Sequence, residues 1–168
     1  MSALLVACAG ADPDERREPT DATDASEGRV GRVGRVVRVV RVVDGDTIVV
    51  DADERVRLIG IDTPESVKPD SPVECFGIEA SRRLGALVPP GTEVVLVPDV
   101  EPQDRYGRTL AYVYRGDDDL FVNAALVDDG FAFAYTVPPN VAFADEFVDR
   151  QRAAREAGRG LWSACPPE

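Results

Sequence analysis

Five short runs rich in Val, Ile and Thr, an amphipathic helical segment after the third, and two further helical segments after the fifth predict a mainly β protein of α+β type. A small five-stranded Greek-key barrel of the OB type with three helices has this order of elements, although the strand count alone does not single it out. The 168 residues, 44% of them hydrophobic, suffice for one domain with a substantial core plus a tail.

The first three strands are expected over 35–43, 46–51 and 54–61, β-branched runs broken by Asp44-Gly45-Asp46 and by Asp51-Ala52-Asp53-Glu54, as in an antiparallel meander. Arginine recurs at every third position, at Arg29, Arg32, Arg35, Arg38 and Arg41, a period that matches neither strand nor helix. Strict alternation along the first strand would put Arg38 and Arg41 on opposite faces, so at least one must lie at an edge or snorkel. In "VECFGIEASRRLGALV" the apolar Ile78, Leu84, Leu87 and Val88, with Glu79 early and Arg82 and Arg83 late, predict a helix that Pro89-Pro90-Gly91 stops. "TEVVLVPDV" and "RTLAYVYR" supply the last two strands. The acidic "GDDDL" reads as a turn into a helix over Val122 to Asp128, with Gly130 as its stop, and a final helix runs from about Ala142 to Glu156.

The domain is expected over 34–168. Residues 1–33 read as a lipobox-like N-terminus followed by a disordered acidic tether, because Ala9 to Val33 holds too few large apolar residues to order itself. Leu5-Val6-Ala7-Cys8 resembles the lipobox of prokaryotic lipoproteins, in which the cysteine is lipidated, although the basic n-region is absent and the apolar part is short. A lipid anchor at Cys8 would place the protein outside the cell or on its surface; a cytoplasmic protein with a frayed terminus is the alternative. No apolar run approaches the roughly 18 residues of a membrane-spanning helix. With Cys8 set aside, Cys75 and Cys165 remain as a pair, which in an exported domain reads as one disulfide and otherwise as two buried thiols.

The net charge of −12 argues on average against polyphosphate partners, an argument that weakens at high salt. Eighteen Arg against the single Lys68, and acids clustered at Asp117-Asp118-Asp119 and Asp128-Asp129, suit a halophile, though a GC-rich genome would also favour Arg.

The chemistry concentrates at three places. Asp46 lies where the second strand begins and Asp62-Thr63-Pro64-Glu65 where the third ends, so antiparallel pairing makes Asp46 and Asp62 neighbours. Asp46, Asp62 and Glu65 converging would need a cation, and oxygen ligands of this kind suit Ca²⁺ or Mg²⁺. Histidine is absent, which excludes His-based metal sites and a His general base. Taken alone, Asp44-Gly45-Asp46-Thr47 reads more readily as a hairpin turn, and Asp62-Thr63-Pro64-Glu65 as a strand-to-loop exit with an Asp cap. Arg57 on the third strand and Arg108 in "DRYGRTLAY" change the weighting, because two guanidiniums beside a cation-binding acid cluster describe a phosphodiester-cleaving site.

"DGDT", "RLIGIDTPE", "CFGIEAS", "DRYGRTLAYVY", "FVNAALVDDGFA" and "GRGLW" occur in an order and spacing that resemble the staphylococcal nuclease, or thermonuclease, family over about residues 36 to 163. The resemblance implies an OB-fold, Ca²⁺ dependence, and hydrolysis of DNA and RNA at the 5′ P–O bond to leave 3′-phosphates. It implies that Asp46 and Asp62 give carboxylates and Thr63 its carbonyl to Ca²⁺, that Glu65 orients or deprotonates the attacking water, and that Arg57 and Arg108 bind the scissile phosphate. Tyr106 matches a ring beside the nucleotide's terminal phosphate and Tyr135 a tyrosine under the base. Two positions depart from the family pattern: Val137 replaces a second base-side tyrosine, and Arg105 replaces the lysine before Tyr106. A monomer without an obligate protein partner is expected. The rival readings are a barrel that binds nucleic acid or protein without catalysis, and a Ca²⁺-binding structural domain of the cell envelope.

Overall fold

The computed structural model describes residues 33–66 and 73–165; the expected tether and the lipobox at Cys8 lie outside the described residues. The β-branched runs form β1 (Arg35–Val42), β2 (Thr47–Val50) and β3 (Glu54–Leu58), with a 3₁₀ turn over Asp51–Asp53 between the last two. A two-residue strand β4 (Ile61–Asp62) follows, then α1 (Gly77–Leu87), β5 (Glu93–Val97), β6 (Thr109–Arg115), α2 (Val122–Asp128), a short β7 (Phe133–Ala134), α3 (Ala144–Glu156) and α4 (Leu161–Ala164).

Strands β1, β2, β3, β6 and β5 close in that order into a barrel, so the expected five-stranded α+β architecture is the one observed. All barrel pairs are antiparallel except β3 with β6, which run parallel. β1 serves two neighbours: Arg35–Arg38 pair with β5, and Val39–Val42 with β2.

Three local expectations change. The register along β1 slips between Val39 and Arg41, which oppose Val50 and Val49. This bulge inserts Val40 as an unopposed residue and restores the outward face one step later. Arg35, Arg38 and Arg41 are therefore all exposed, and the period of three becomes a run of solvated arginines. The third strand ends at Leu58 instead of continuing to 61, because the chain turns through Gly60 at φ +79°, a conformation that favours glycine, and changes partner from β2 and β6 to β7. A fourth helix, α4, follows the three expected ones.

The core joins the barrel to the helices. Tyr112 of β6 meets Phe143 at 4.6 Å and Phe147 of α3 at 6.3 Å between ring centroids, and Phe121 stacks on Tyr114 at 4.4 Å. Emptying a fully buried phenylalanine costs about 3 to 5 kcal/mol, so packing at Phe147, with no exposed surface, holds α3 more firmly than its polar sequence could. Asn123 of α2, also fully buried, accepts from the Val113 N–H (2.9 Å) and donates to the Ile59 carbonyl (2.9 Å). These bonds satisfy backbone groups where β3 has left the ladder, and they fix the approach to β4. Cys75, before α1, is joined by a disulfide to Cys165, after α4.

Candidate active site

Local hydrogen bonds set the first half of the site. In the turn between β1 and β2 the Asp46 N–H donates to Asp44 Oδ1 (3.1 Å) and the Val43 N–H to the Thr47 carbonyl (2.9 Å), an Asp-initiated turn of the expected kind. The turn carries Asp46 inward until only 6% of it is exposed. There its Oδ1 accepts from Thr47 Oγ1 and its Oδ2 from both the backbone N–H and Oγ1 of Thr63, each at 3.1 Å. Gly45 permits this closure, since a Cβ there would lie 2.5 Å from Thr63 Oγ1 and 2.9 Å from the Ala80 methyl. Burial, and then the charge of Asp46, pushes the Asp44 carboxyl up to about 6.

Arg57, opposite Thr47 in the β2–β3 ladder, connects the acids. Its Nη1 faces Asp46 Oδ2 and its Nη2 donates to Asp62 Oδ1 at 2.7 Å. Asp46 and Asp62 thus converge on one guanidinium, whose side chain is 15% exposed. Glu65 is held differently, on the loop after β4, where its N–H donates to Glu74 Oε2 and its carbonyl accepts from the Glu74 N–H, both at 2.9 Å. Among the described residues no three acidic side chains form a ready-made ion cage: Asp46 and Asp62 meet on the Arg57 guanidinium, which neutralises both, and Glu65 stands on the loop after β4. The donors still fit a hard cation, because two carboxylates and the Thr63 carbonyl offer oxygen ligands alone and water completes such a shell readily.

The turn before β6 sets the second half. Asp104 Oδ1 accepts from the N–H groups of Tyr106 and Arg108, both at 2.9 Å, and Oδ2 accepts from Arg108 Nε at 2.7 Å. Burial pushes the Asp104 carboxyl up, but the Arg108 guanidinium and these N–H groups outweigh it and hold the group below its ordinary value. Tyr106, 70% exposed, lies under the guanidiniums of Arg105 and Arg108, which stand 4.8 and 5.7 Å from its ring centroid.

These groups share a cavity of about 460 Å³, with Arg57, Arg105, Arg108 and Tyr106 on one side and Tyr135 and Val137 completing its wall. Arg57 belongs both to this cavity and to the acid pair, and it joins the two halves. Three guanidiniums and two acids, Glu101 and Asp104, line the cavity of a protein of charge −12, and Arg57 and Arg108 each stand against a carboxylate. Glu65 is not among the lining residues. Asn140, 4% exposed, was not singled out by the sequence: its amide bonds reciprocally with the Glu101 backbone (2.8 and 2.9 Å) and ties two loops of the wall together. The preceding Pro138-Pro139 marks a turn there but gives no sign of its burial.

Comparison with known proteins finds nuclease relatives. The family model described as "Staphylococcal nuclease homologue" matches residues 55–164. The chain is 43% identical over 123 residues to the thermonuclease of Staphylococcus intermedius, covering 71% of each chain. It is 41% identical over 124 residues to the thermonuclease of Staphylococcus hyicus, covering 72% of each. It is 38% identical over 125 residues to the SPbeta prophage-derived endonuclease YokF of Bacillus subtilis, covering 72% of this chain and 42% of that protein. The family model over residues 55–164 and relatives 41% and 43% identical over more than two thirds of both chains show that this chain belongs to the staphylococcal nuclease homologue family.

Proposed function

We propose that the protein is a Ca²⁺-dependent nuclease that hydrolyses DNA and RNA at the 5′ P–O bond and leaves 3′-phosphates. One observation carries the reading: Arg57 lies at once against Asp46 and Asp62 and in the wall of the cavity that holds Arg108 and Tyr106. Asp46, Asp62 and the Thr63 carbonyl would hold Ca²⁺, which supplies charge neutralisation at the phosphate and a template for water when bound. Arg57 and Arg108 grip the phosphate oxygens and stabilise the charge that grows on them during in-line attack. Glu65 orients the attacking water and takes its proton. Tyr106, Arg105 and Tyr135 orient the nucleotide, with the Tyr135 ring, 55% exposed, available for stacking on a base. Relatives named thermonuclease and endonuclease support this assignment.

The test is release of acid-soluble nucleotides from single-stranded DNA, with Ca²⁺ or with chelator, at low and at molar KCl. Release should require Ca²⁺, persist at molar KCl because the acidic surface suits screened conditions, and fall on the order of 10²-fold or more in Glu65→Gln. No release at either salt, with Ca²⁺ still binding, would mean that the chemistry has been abandoned and the barrel serves to bind; equal release by parent and variant would remove Glu65 from the mechanism. Anchoring at the cell surface through Cys8 belongs to the same proposal, and mass spectrometry of the protein from its source cells tests it: an unmodified Met1 or Ser2 terminus would refute it.

A further inference from the structure

Glu74 lies outside both the lining of the cavity and the buried core. It is exposed, lies nine residues beyond Glu65, and meets Glu65 through two reciprocal bonds: its Oε2 accepts the Glu65 N–H and its own N–H donates to the Glu65 carbonyl. Together these tie Glu65 to the residues that lead into α1. The tie is braced on its α1 side. The Gly77 N–H donates to the Glu74 carbonyl at 3.0 Å, and Gly77 presses on Glu65 so closely that a Cβ there would lie 2.6 Å from the Glu65 carbonyl oxygen.

The two residues between are constrained as well. Cys75 is bonded to Cys165, and Phe76 holds φ at +72°, a conformation that bulky residues adopt only when their surroundings force it. Here the disulfide on one side and the Phe131 ring, 5.1 Å from Phe76, on the other supply that force. The clamp therefore passes from the C-terminal end of the domain through Cys165, Cys75 and Glu74 to the backbone of Glu65.

We infer that Glu74 is a positioning residue for Glu65, and that the Cys75–Cys165 bond anchors it. The inference rests on the role proposed above for Glu65. A general base must stand within hydrogen-bond reach of its proton, and a displacement near 1 Å costs roughly 10²-fold. The clamp restricts Glu65 through its main chain, at its N–H and its carbonyl.

The experiment compares the full-length parent with Glu74→Ala, Glu74→Gln, Cys75→Ser/Cys165→Ser and Glu65→Gln, measuring kcat and KM on single-stranded DNA with Ca²⁺ and amide hydrogen exchange at Glu65. Glu74→Ala should lower kcat roughly tenfold or more with KM within about twofold, and should speed exchange of the Glu65 amide while barrel amides such as Val56 and Val113 stay protected. Glu74→Gln keeps an acceptor oxygen and should behave as the parent; the double serine variant should speed Glu65 exchange. Parent-like kcat and Glu65 exchange in Glu74→Ala would overturn the inference. So would equal impairment of the Ala and Gln variants, or accelerated exchange throughout the barrel. Full turnover in Glu65→Gln would overturn the role of Glu65 itself, whereas lost turnover there beside full turnover in Glu74→Ala would overturn only that of Glu74.

Discussion

Replacing Cys75 and Cys165 together by serine should destabilise the domain through its unfolded state. The bond spans 90 residues of sequence, and in the chain-entropy model a loop of that size restricts the unfolded chain by about 15 cal/mol/K, or about 4 to 5 kcal/mol at 25 °C. Native contacts at the C-terminal end survive the substitution. The Leu161 N–H still donates to the Gly130 carbonyl (2.9 Å), Arg159 Nη1 to the Asp128 carbonyl (2.7 Å), and Trp162 still meets Phe133 edge to face. Loosening of the folded state is therefore confined to the Glu65–Phe76 clamp, and most of the loss appears as unfolded-chain entropy. With an unfolding entropy of about 2.1 cal/mol/K per residue over the roughly 135 residues of the domain, Tm should drop by about 15 °C. Urea unfolding of parent and double variant, followed by fluorescence of the single Trp162 and by circular dichroism, gives the difference directly. A loss below about 1 kcal/mol with unchanged native spectra would refute the entropic reasoning.

Arg57→Lys should lower kcat/KM on the order of 10²-fold or more, since an ammonium cannot reach Asp46 and Asp62 together while presenting a fork to phosphate; parent-like kinetics would show that the fork is dispensable. Val137→Tyr should add a stacking surface to the cavity wall and tighten single-stranded DNA by about 1 to 3 kcal/mol per base contacted, read as a lower KM at constant kcat. For Asp44 the sign follows from its raised pKa of about 6. The unfolded carboxyl, near 3.9, ionises first as pH rises, so the metal-free protein loses stability between about pH 4 and about pH 6. Asp44→Asn should abolish that loss, which urea midpoints on either side of the window in the presence of chelator would reveal. Asp104 and Glu54, both held below their ordinary values, act oppositely and withdraw stability as pH falls below about 4.

Local chemistry accounts for what was legible in the sequence. Valine and isoleucine runs become barrel strands because branched side chains fit a half-buried pleated surface. The helix over Val122–Asp128 has the bounds that its turn and its glycine stop imply. The antiparallel β2–β3 ladder sets Arg57 opposite Thr47 and so beside Asp46, whereas Asp62 reaches the same guanidinium from β4, beyond the turn at Gly60. The β1 bulge was illegible, because an alternating pattern of valine and arginine carries no mark of one inserted residue, and register is decided by two partners at once.

The sequence by itself determined the class of fold, the family, and the identity of the groups able to meet a phosphodiester, since these depend on residue type, short-range pattern and motif order. Tertiary structure alone decided that Arg57 sits between Asp46 and Asp62, that Glu65 is held through Glu74, and that Asn140 is buried in the wall of the cavity. Each of those facts is a bond between residues separated by loops, and its formation depends on how the barrel closes and what is left to neutralise a buried charge, which no local window of sequence contains.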